Sequence, residues 1–392
     1  MCHGGDSFRK GKNRCEHYPE QVMGTSYAWH SRIDVINSRW PRAQSLMADE
    51  LLSSWLIRSA FAHGCSPMSL TGSLWPDWRC WTIDLDRGLT AGQVEPLARL
   101  SGVSVADICT STLHPIAQIL SPGLDSKKGV WPWILALGRR NRRSTGGLQI
   151  CPICLSEQIP YYRIWSRLAW HTCCEKHLVR LIDSCPRCGA PLQPHLLEQG
   201  ASNLYRCDRC NTSLSSALDD LGFTPGALAF QLAGDNALRG MQHDDTGPCE
   251  ASGWFYRARF VSGVLRVGAT TGSKTFAAFR EAFNLGEMAR PLSGLPIEML
   301  PVVERMNLFS AVWKIMDMGE SQIRETIRAC AFSRRSVVLP AGEVTFSIQA
   351  MLDELAPGAA RPHKPVAIST PTPRRRVENM WARLKRKVLR DG

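Results

Sequence analysis

Cys151-Pro-Ile-Cys154, Cys174-Glu-Lys-His177, Cys185-Pro-Arg-Cys188 and Cys207-Asp-Arg-Cys210 are the segments that organise this chain. Each leaves two residues between its ligands, a spacing that lets one tight turn aim both side chains at a single tetrahedral ion. Eight ligands make two sites. Their order suggests a site of three cysteines and one histidine from the first two pairs and a four-cysteine zinc ribbon from the last two, and the sequence leaves interleaved pairing open. Cys173 beside Cys174 offers a second register; Cys174 is preferred for its two-residue gap to His177. The pattern predicts two Zn2+ per chain, and sites with four protein ligands and no open position are structural, so no catalytic role is assigned to them.

Composition bounds what surrounds these sites. At 392 residues the chain can bury two or three cores. The formal charge of +12 falls by three once seven thiolates and two dications are counted, and the remaining surplus argues for a polyanionic partner such as nucleic acid. Fifteen cysteines in so long a chain, without an apolar signal core at its start, fit a reducing cytoplasm better than a secreted disulfide framework. No apolar run reaches the ~18 residues that a membrane helix needs, so no membrane partner is expected.

Upstream, residues 1–45 are polar and irregular and are read as a disordered extension; Cys2-His3 and Cys15-x-His17 lack a local ligand framework. From Asp49, apolar residues recur at helical spacing through Leu51, Leu52, Trp55 and Leu56 until Gly64. The tryptophan-rich segment 74–87 carries Asp84 and Asp86 two apart. No nearby third acid or histidine makes them a metal or proton-transfer site, so loop or capping duty is expected. Thr90 can cap a helix through Leu100, Gly102 breaks it, and a second helix starts after Ser104, which has the form of a helix-turn-helix. Its second helix would offer Ser104, Asp107, Thr110 and Ser111 to a DNA groove; a purely structural helix pair is the competing reading. The run Arg139, Arg140, Arg142 and Arg143, beside a flexible Gly146-Gly147 pair, could meet phosphates without reading sequence, or form a solvated linker.

Between the first two ligand pairs lie Tyr161, Tyr162, Trp165, Leu168 and Trp170, expected to pack over the metal as a small core. Seven basic residues against five acidic ones from 151 to 210, with the sites themselves negative, leave this region close to neutral. It is therefore expected to act as a scaffold, with DNA contact made elsewhere. Residues 216–355 read as further helices, including 275–285, 297–316 and 321–332, the last with a weak second helix-turn-helix pattern. A Pro- and Ala-rich linker spans 356–373. After it, Arg374, Arg375 and Arg376 open a basic segment with Val377, Met380, Trp381, Leu384 and Val388 on one helical face, suited to phosphates or to a partner.

Several of these motifs together resemble the TniQ/TnsD family. They are Cys151-Pro-Ile-Cys154-Leu155, Tyr161-Tyr162-Arg163-x-Trp165, Cys174-x-x-His177 followed by Leu181, and Cys185-Pro-Arg-Cys188-Gly189. Upstream, Asp49-Glu-Leu-Leu-Ser-Ser-Trp55-Leu-x-Arg58 and Trp81-x-x-Asp84-x-Asp86-Arg87 are similar to the family's N-terminal signature, so the likeness covers about residues 45 to 215. The resemblance implies a non-enzymatic target-site selector for bacterial DNA transposition. Such a protein binds target DNA or a CRISPR-RNA-guided effector complex and helps to recruit an AAA+ ATPase and the transposase. It further implies that Cys151, Cys154, Cys174, His177, Cys185, Cys188, Cys207 and Cys210 are the metal ligands, allows a homodimer, and places the protein in the bacterial cytoplasm at the nucleoid.

The expected fold is mainly α. A helical TniQ-like domain with the helix-turn-helix spans 46–145, a tandem zinc-binding module of zinc finger plus zinc ribbon spans 146–215, a C-terminal helical domain spans 216–355, and linker and basic tail span 356–392. Two other functions compete: a zinc-stabilised helix-turn-helix transcription regulator, and a zinc-framed nuclease. The nuclease reading is weakest, because His177 is needed as a ligand and no acidic metal site accompanies His171.

Overall fold

Helix α1 (Leu52–Ala62) is apolar on more than one side, and two cores meet on it. Leu52, Trp55 and Leu56 pack with Leu74, Leu85, Val94, Leu97 and Ile108 in an N-terminal core. Leu51 and Ile57 belong to a larger core that reaches the C-terminal helices. A helix buried on opposite faces lacks the single apolar stripe of a surface helix and ties together whatever it touches. The computed structural model describes residues 39–123, 129–140, 143–156, 159–197, 204–216, 221–241, 243–244, 247–248, 251–288, 295–329, 349, 352–353, 355, 374, 377–382 and 384. The extension through residue 38 and the linker 356–373 lie outside these.

The chain is mainly helical. After α1, Ser66 caps α2 (Pro67–Leu74) by accepting the Ser69 N–H at 3.1 Å. Helix α3 (Ala91–Ser101) begins where the Thr90 N–H donates to the Gln93 side chain at 2.9 Å and ends at Gly102, whose φ of 77° is left-handed. Ser104 then caps α4 (Val105–Thr110), and α5 (His114–Leu120) follows. Two 3-10 turns, Cys80–Thr82 and Leu85–Arg87, fill the tryptophan-rich segment.

The arginine run departs from the expected linker. Strands β1 (Leu137–Arg140) and β2 (Arg143–Gly146) form an antiparallel hairpin that pairs Arg140 with Arg143 and Leu137 with Gly146. Its glycine pair is tight rather than flexible: a Cβ at Gly146 would sit 2.0 Å from the Leu192 carbonyl oxygen, and Gly147 has φ of 62°.

The ligand stretch holds the short helix α6 (Pro152–Leu155) and strands β3 (Cys173–Cys174) and β4 (Val179–Arg180), and beyond it α7 (Pro225–Leu238), α8 (Ala251–Thr271), α9 (Lys274–Ala282), α10 (Val302–Met316) and α11 (Glu320–Ala329) form the C-terminal part. The helix expected over 297–316 is split into a 3-10 turn at Ile297–Met299 and α10, because Pro301 lacks the N–H that a continuous helix needs and serves instead as the N-cap of α10. Among the described residues, no helix is long and apolar enough to cross a membrane.

The larger core is aromatic and recruits residues from every part of the chain. Trp133 lies 5.4 Å from Phe255, Trp170 lies 4.7 Å from Phe255, and Phe230 stacks on Phe309 at 4.7 Å between ring centroids. Trp170, Leu168 and Tyr162 belong to this core, which also holds Cys185 and Cys207, while Trp165 packs as well against Cys151 and Cys174. Burial of each such side chain is worth about 1.5–3 kcal/mol, so these aromatics dominate the attachment of α7, α8 and α10. Fully buried Arg305 of α10 adds polar bonds, donating to Gln149 Oε1 at 2.6 Å and to the Leu300 carbonyl at 3.2 Å.

Candidate metal centres and the candidate nucleic-acid face

Three of the four ligand pairs use the same backbone turn. In each, the N–H four residues after the first ligand bonds back to that ligand's carbonyl: Leu178 to Cys174 at 2.8 Å, Gly189 to Cys185 at 2.9 Å, and Asn211 to Cys207 at 2.9 Å. Those closing residues all have positive φ, at 51°, 67° and 54°. Such a turn points both side chains of a two-gap pair to one side. Cys151 and Cys154 do the same on a single helical turn, α6 (Pro152–Leu155), with Cys151 as its N-cap.

The first cluster gathers Cys151, Cys154, Cys174 and His177, and the second gathers Cys185, Cys188, Cys207 and Cys210, with the ligand atoms of each set within 4.8 Å of one another. The pairing is sequential. Cys174 closes strand β3 (Cys173–Cys174), and His177 sits in the turn to β4 (Val179–Arg180). Cys173 turns away and is buried beside Ala227 and Met306.

The edges of these clusters match a tetrahedral ion of zinc's size. Sulfurs at about 2.3 Å from a common ion stand about 3.8 Å apart. The observed edges are 3.6 Å for Cys154–Cys174, 3.6 Å for Cys185–Cys210 and 3.7 Å for Cys188–Cys207, while His177 Nδ1 lies 3.2 to 3.5 Å from its three sulfurs. Without a cation, the sulfurs cannot all ionise at this spacing. Hydrogen bonds with Cys151 and Cys154 pull the Cys174 thiol far down, while those with Cys151 and Cys174 push Cys154 far up. In the second cluster, Thr212 draws Cys210 down to about 6 and burial pushes Cys207 up to about 12. Both clusters could therefore hold metal ions, since a dication offsets the repulsion among neighbouring thiolates.

A third grouping, His171, Glu175 and Asp235, has a different character. His171 Nε2 and Asp235 Oδ1 are in direct contact at 2.8 Å, Trp170 Nε1 donates to the same oxygen at 2.9 Å, and Glu175 accepts from Gln231 at 3.1 Å. The atoms a metal would use are already paired. Burial alone would raise Asp235, but the His171 ion pair and the bonds from His171 and Trp170 hold its carboxyl below the ordinary value. His171, the residue on which a nuclease reading leaned, is thus buried in a structural contact.

Asp84 and Asp86 have a role that local sequence did not show. Arg167 is buried between them, donating to Asp84 Oδ1 at 2.9 Å, to Asp86 Oδ2 at 3.0 Å and to the Leu135 carbonyl at 3.0 Å. Asp86 also accepts the N–H and the hydroxyl of Ser53, each at 2.8 Å. Glu50 and Arg58 form a comparable pair at 2.7 Å, with Glu50 fully buried. The signature carboxylates thus clamp α1 and the 3-10 turns to the ligand stretch.

The residues expected at nucleic acid are divided by burial. Ser104 accepts the Asp107 N–H at 3.0 Å and donates to its carboxylate at 2.6 Å, and both side chains are at the surface, as is Thr110. Ser111 is buried, its hydroxyl donating to the Ile108 carbonyl at 2.7 Å, so it offers nothing to a groove. Arg139, Arg140 and Arg143 are placed by backbone only, on the hairpin; Arg374 is exposed, and Arg142, Arg375 and Arg376 lie outside the described residues.

Residues 41–181 match the TniQ family, which assigns to it the segment from before α1 through the first ligand cluster. The resemblance noted from the motifs is thereby borne out over that span. No curated protein matches the chain.

Proposed function

We propose, from the TniQ assignment of residues 41–181, that this protein is a non-catalytic target-selection adaptor for DNA transposition. In this reading it binds target DNA, or an RNA-guided effector complex, and helps to bring an AAA+ ATPase and the transposase to the site. Zinc is the proposed ion for both clusters, where it would supply folding energy and hold the turns in register, as expected of sites whose four positions are all protein ligands. DNA contact is assigned to the exposed residues of the α3–α4 pair, Ser104, Asp107 and Thr110, and to the arginines of the β1–β2 hairpin. The division at 46–145, 146–215 and 216–355 is retained as a functional one, with DNA contact in the first part, shape in the second and partner docking in the third.

The observation that carries this reading is the coincidence of the matched segment with the Asp84–Arg167–Asp86 clamp, which ties α1 and the 3-10 turns to the stretch that bears the first ligand cluster. An adaptor needs its DNA-contacting part held to the rest of the chain, and the buried clamp, with metal at the two ligand clusters, would hold the N-terminal part to the ligand stretch. The test is reconstitution. The chain is combined with an AAA+ ATPase and a transposase of a transposition system that uses a TniQ protein, and the insertion-site distribution is sequenced with and without the chain. An adaptor concentrates insertions at defined sites; a distribution that the chain leaves unchanged would overturn the reading.

A further inference from the structure

The tail helix exposes an apolar ridge that no other described residue covers. Residues 377–382 and 384 are helical, and Val377, Met380, Trp381 and Leu384 are 40%, 61%, 65% and 56% exposed. Their spacing of i, i+3, i+4 and i+7 puts them on one face. By contrast, Trp55, Trp131, Trp133 and Trp170 are among the most buried side chains of the molecule. Among the described residues, the last members of the core are Leu352 and Leu355, and the ridge lies beyond 18 residues that include five prolines.

We propose that this helix is a docking peptide for a partner protein that presents an apolar groove edged by carboxylates. Two features of the segment must be met together. Its ridge needs apolar cover, and residues 374–390 carry eight Lys or Arg against the single Glu378, which is itself paired with Arg374 at 2.9 Å. Duplex DNA offers the negative charge but no apolar cover, so phosphate contact would leave Trp381 in water. An anionic bilayer offers both, but there binding follows total apolar area, which four side chains supply sparsely. A groove rewards the arrangement seen here, one large aromatic anchor flanked by smaller apolar side chains at helix-in-groove spacing, with basic residues left to meet an acidic rim. The inference is independent of the DNA contacts proposed above.

The test uses the full-length chain and three probes. Calcium-loaded calmodulin serves as an acidic, methionine-lined groove, phosphatidylserine-containing vesicles as the anionic bilayer, and a mixed-sequence duplex as the nucleic acid. The chain is expected to bind calmodulin, and Trp381→Ala/Leu384→Ala is expected to weaken that binding at least ~30-fold while metal content and binding to vesicles and duplex stay unchanged. These side chains are exposed, so the variant keeps its fold. Failure of the wild-type chain to bind calmodulin, or a loss of vesicle or duplex affinity in the double variant, would overturn the proposal.

Discussion

Arg167 Nη1 donates to Asp86 Oδ2 at 3.0 Å across 81 residues of sequence, and both side chains are almost wholly buried. The same guanidinium holds Asp84, and Asp86 in turn holds the first turn of α1 through Ser53. Removing the cation would leave two carboxylates facing each other away from water.

Arg167→Met is therefore expected to destabilise the protein by about 3–5 kcal/mol, the usual cost of breaking a buried pair by deleting one partner. Asp84→Asn/Asp86→Asn/Arg167→Met should recover part of that loss, because no unpaired carboxylate remains, although Arg87 loses its partner Asp84. Urea unfolding of the single and triple variants checks this. Equal stability of the two would mean that packing, rather than charge, sets the role of Arg167.

Metal content gives the second prediction. The wild-type chain should carry two zinc ions by elemental analysis. Cys174→Ser should lose about one equivalent, since a three-ligand remnant binds far more weakly. Cys173→Ser should keep both, because that thiol is packed beside Ala227 and Met306, away from the cluster. A chain that loses metal on Cys173→Ser and keeps it on Cys174→Ser would reverse the register.

What could be read from the sequence was local. Two-residue gaps between ligands, the Thr90 cap, the Gly102 break and the start of a helix after Ser104 each concern residues within one turn, and each lies where expected. The Arg167 clamp was not legible, because its partners are more than eighty residues upstream and no short motif links them. Nor was the hairpin of β1 and β2, whose sequence holds no Asn-Gly pair and whose strands lack apolar alternation. Ser111 looked like an exposed helical position, but it follows the six-residue α4 just where the chain turns back into the core. Trp170 and Tyr162 were expected over a metal because they lie between ligands. Trp170 instead packs on Phe255 of α8 and bonds Asp235 of α7, while the Tyr162 hydroxyl bonds the Leu204 carbonyl at 2.7 Å, three residues before Cys207.

Acid should weaken the fold partly through Asp235. Its folded pKa is depressed below the unfolded value of about 3.9, so its contribution is complete above that value and is lost as pH falls through the lower folded one. Asp235→Asn is expected to cost about 1–3 kcal/mol at pH 7. The difference from wild type should shrink as pH drops below ~4. Loss of metal in acid affects both proteins, so the quantity to follow is their difference in unfolding free energy. A difference that stays constant to pH ~3 would remove Asp235 from the acid response.

DNA binding, if direct, should separate the residues named on α4 and the hairpin. Thr110 is at the surface and Ser111 is buried, so Thr110→Glu should weaken binding to a duplex, while Ser111→Ala should leave affinity unchanged and cost only some stability. The hairpin arginines would act through phosphates, a contact that releases counterions and makes affinity salt-dependent. Replacing Arg139, Arg140, Arg142 and Arg143 together by Ala should then flatten the slope of log K against log salt by about 3.6 if all four meet phosphates. Fluorescence anisotropy at several salt concentrations measures both effects. A flattened slope with Thr110→Glu still binding normally would assign the contact to the hairpin alone, and an unchanged slope would take the hairpin off the DNA and leave its arginines for a protein partner.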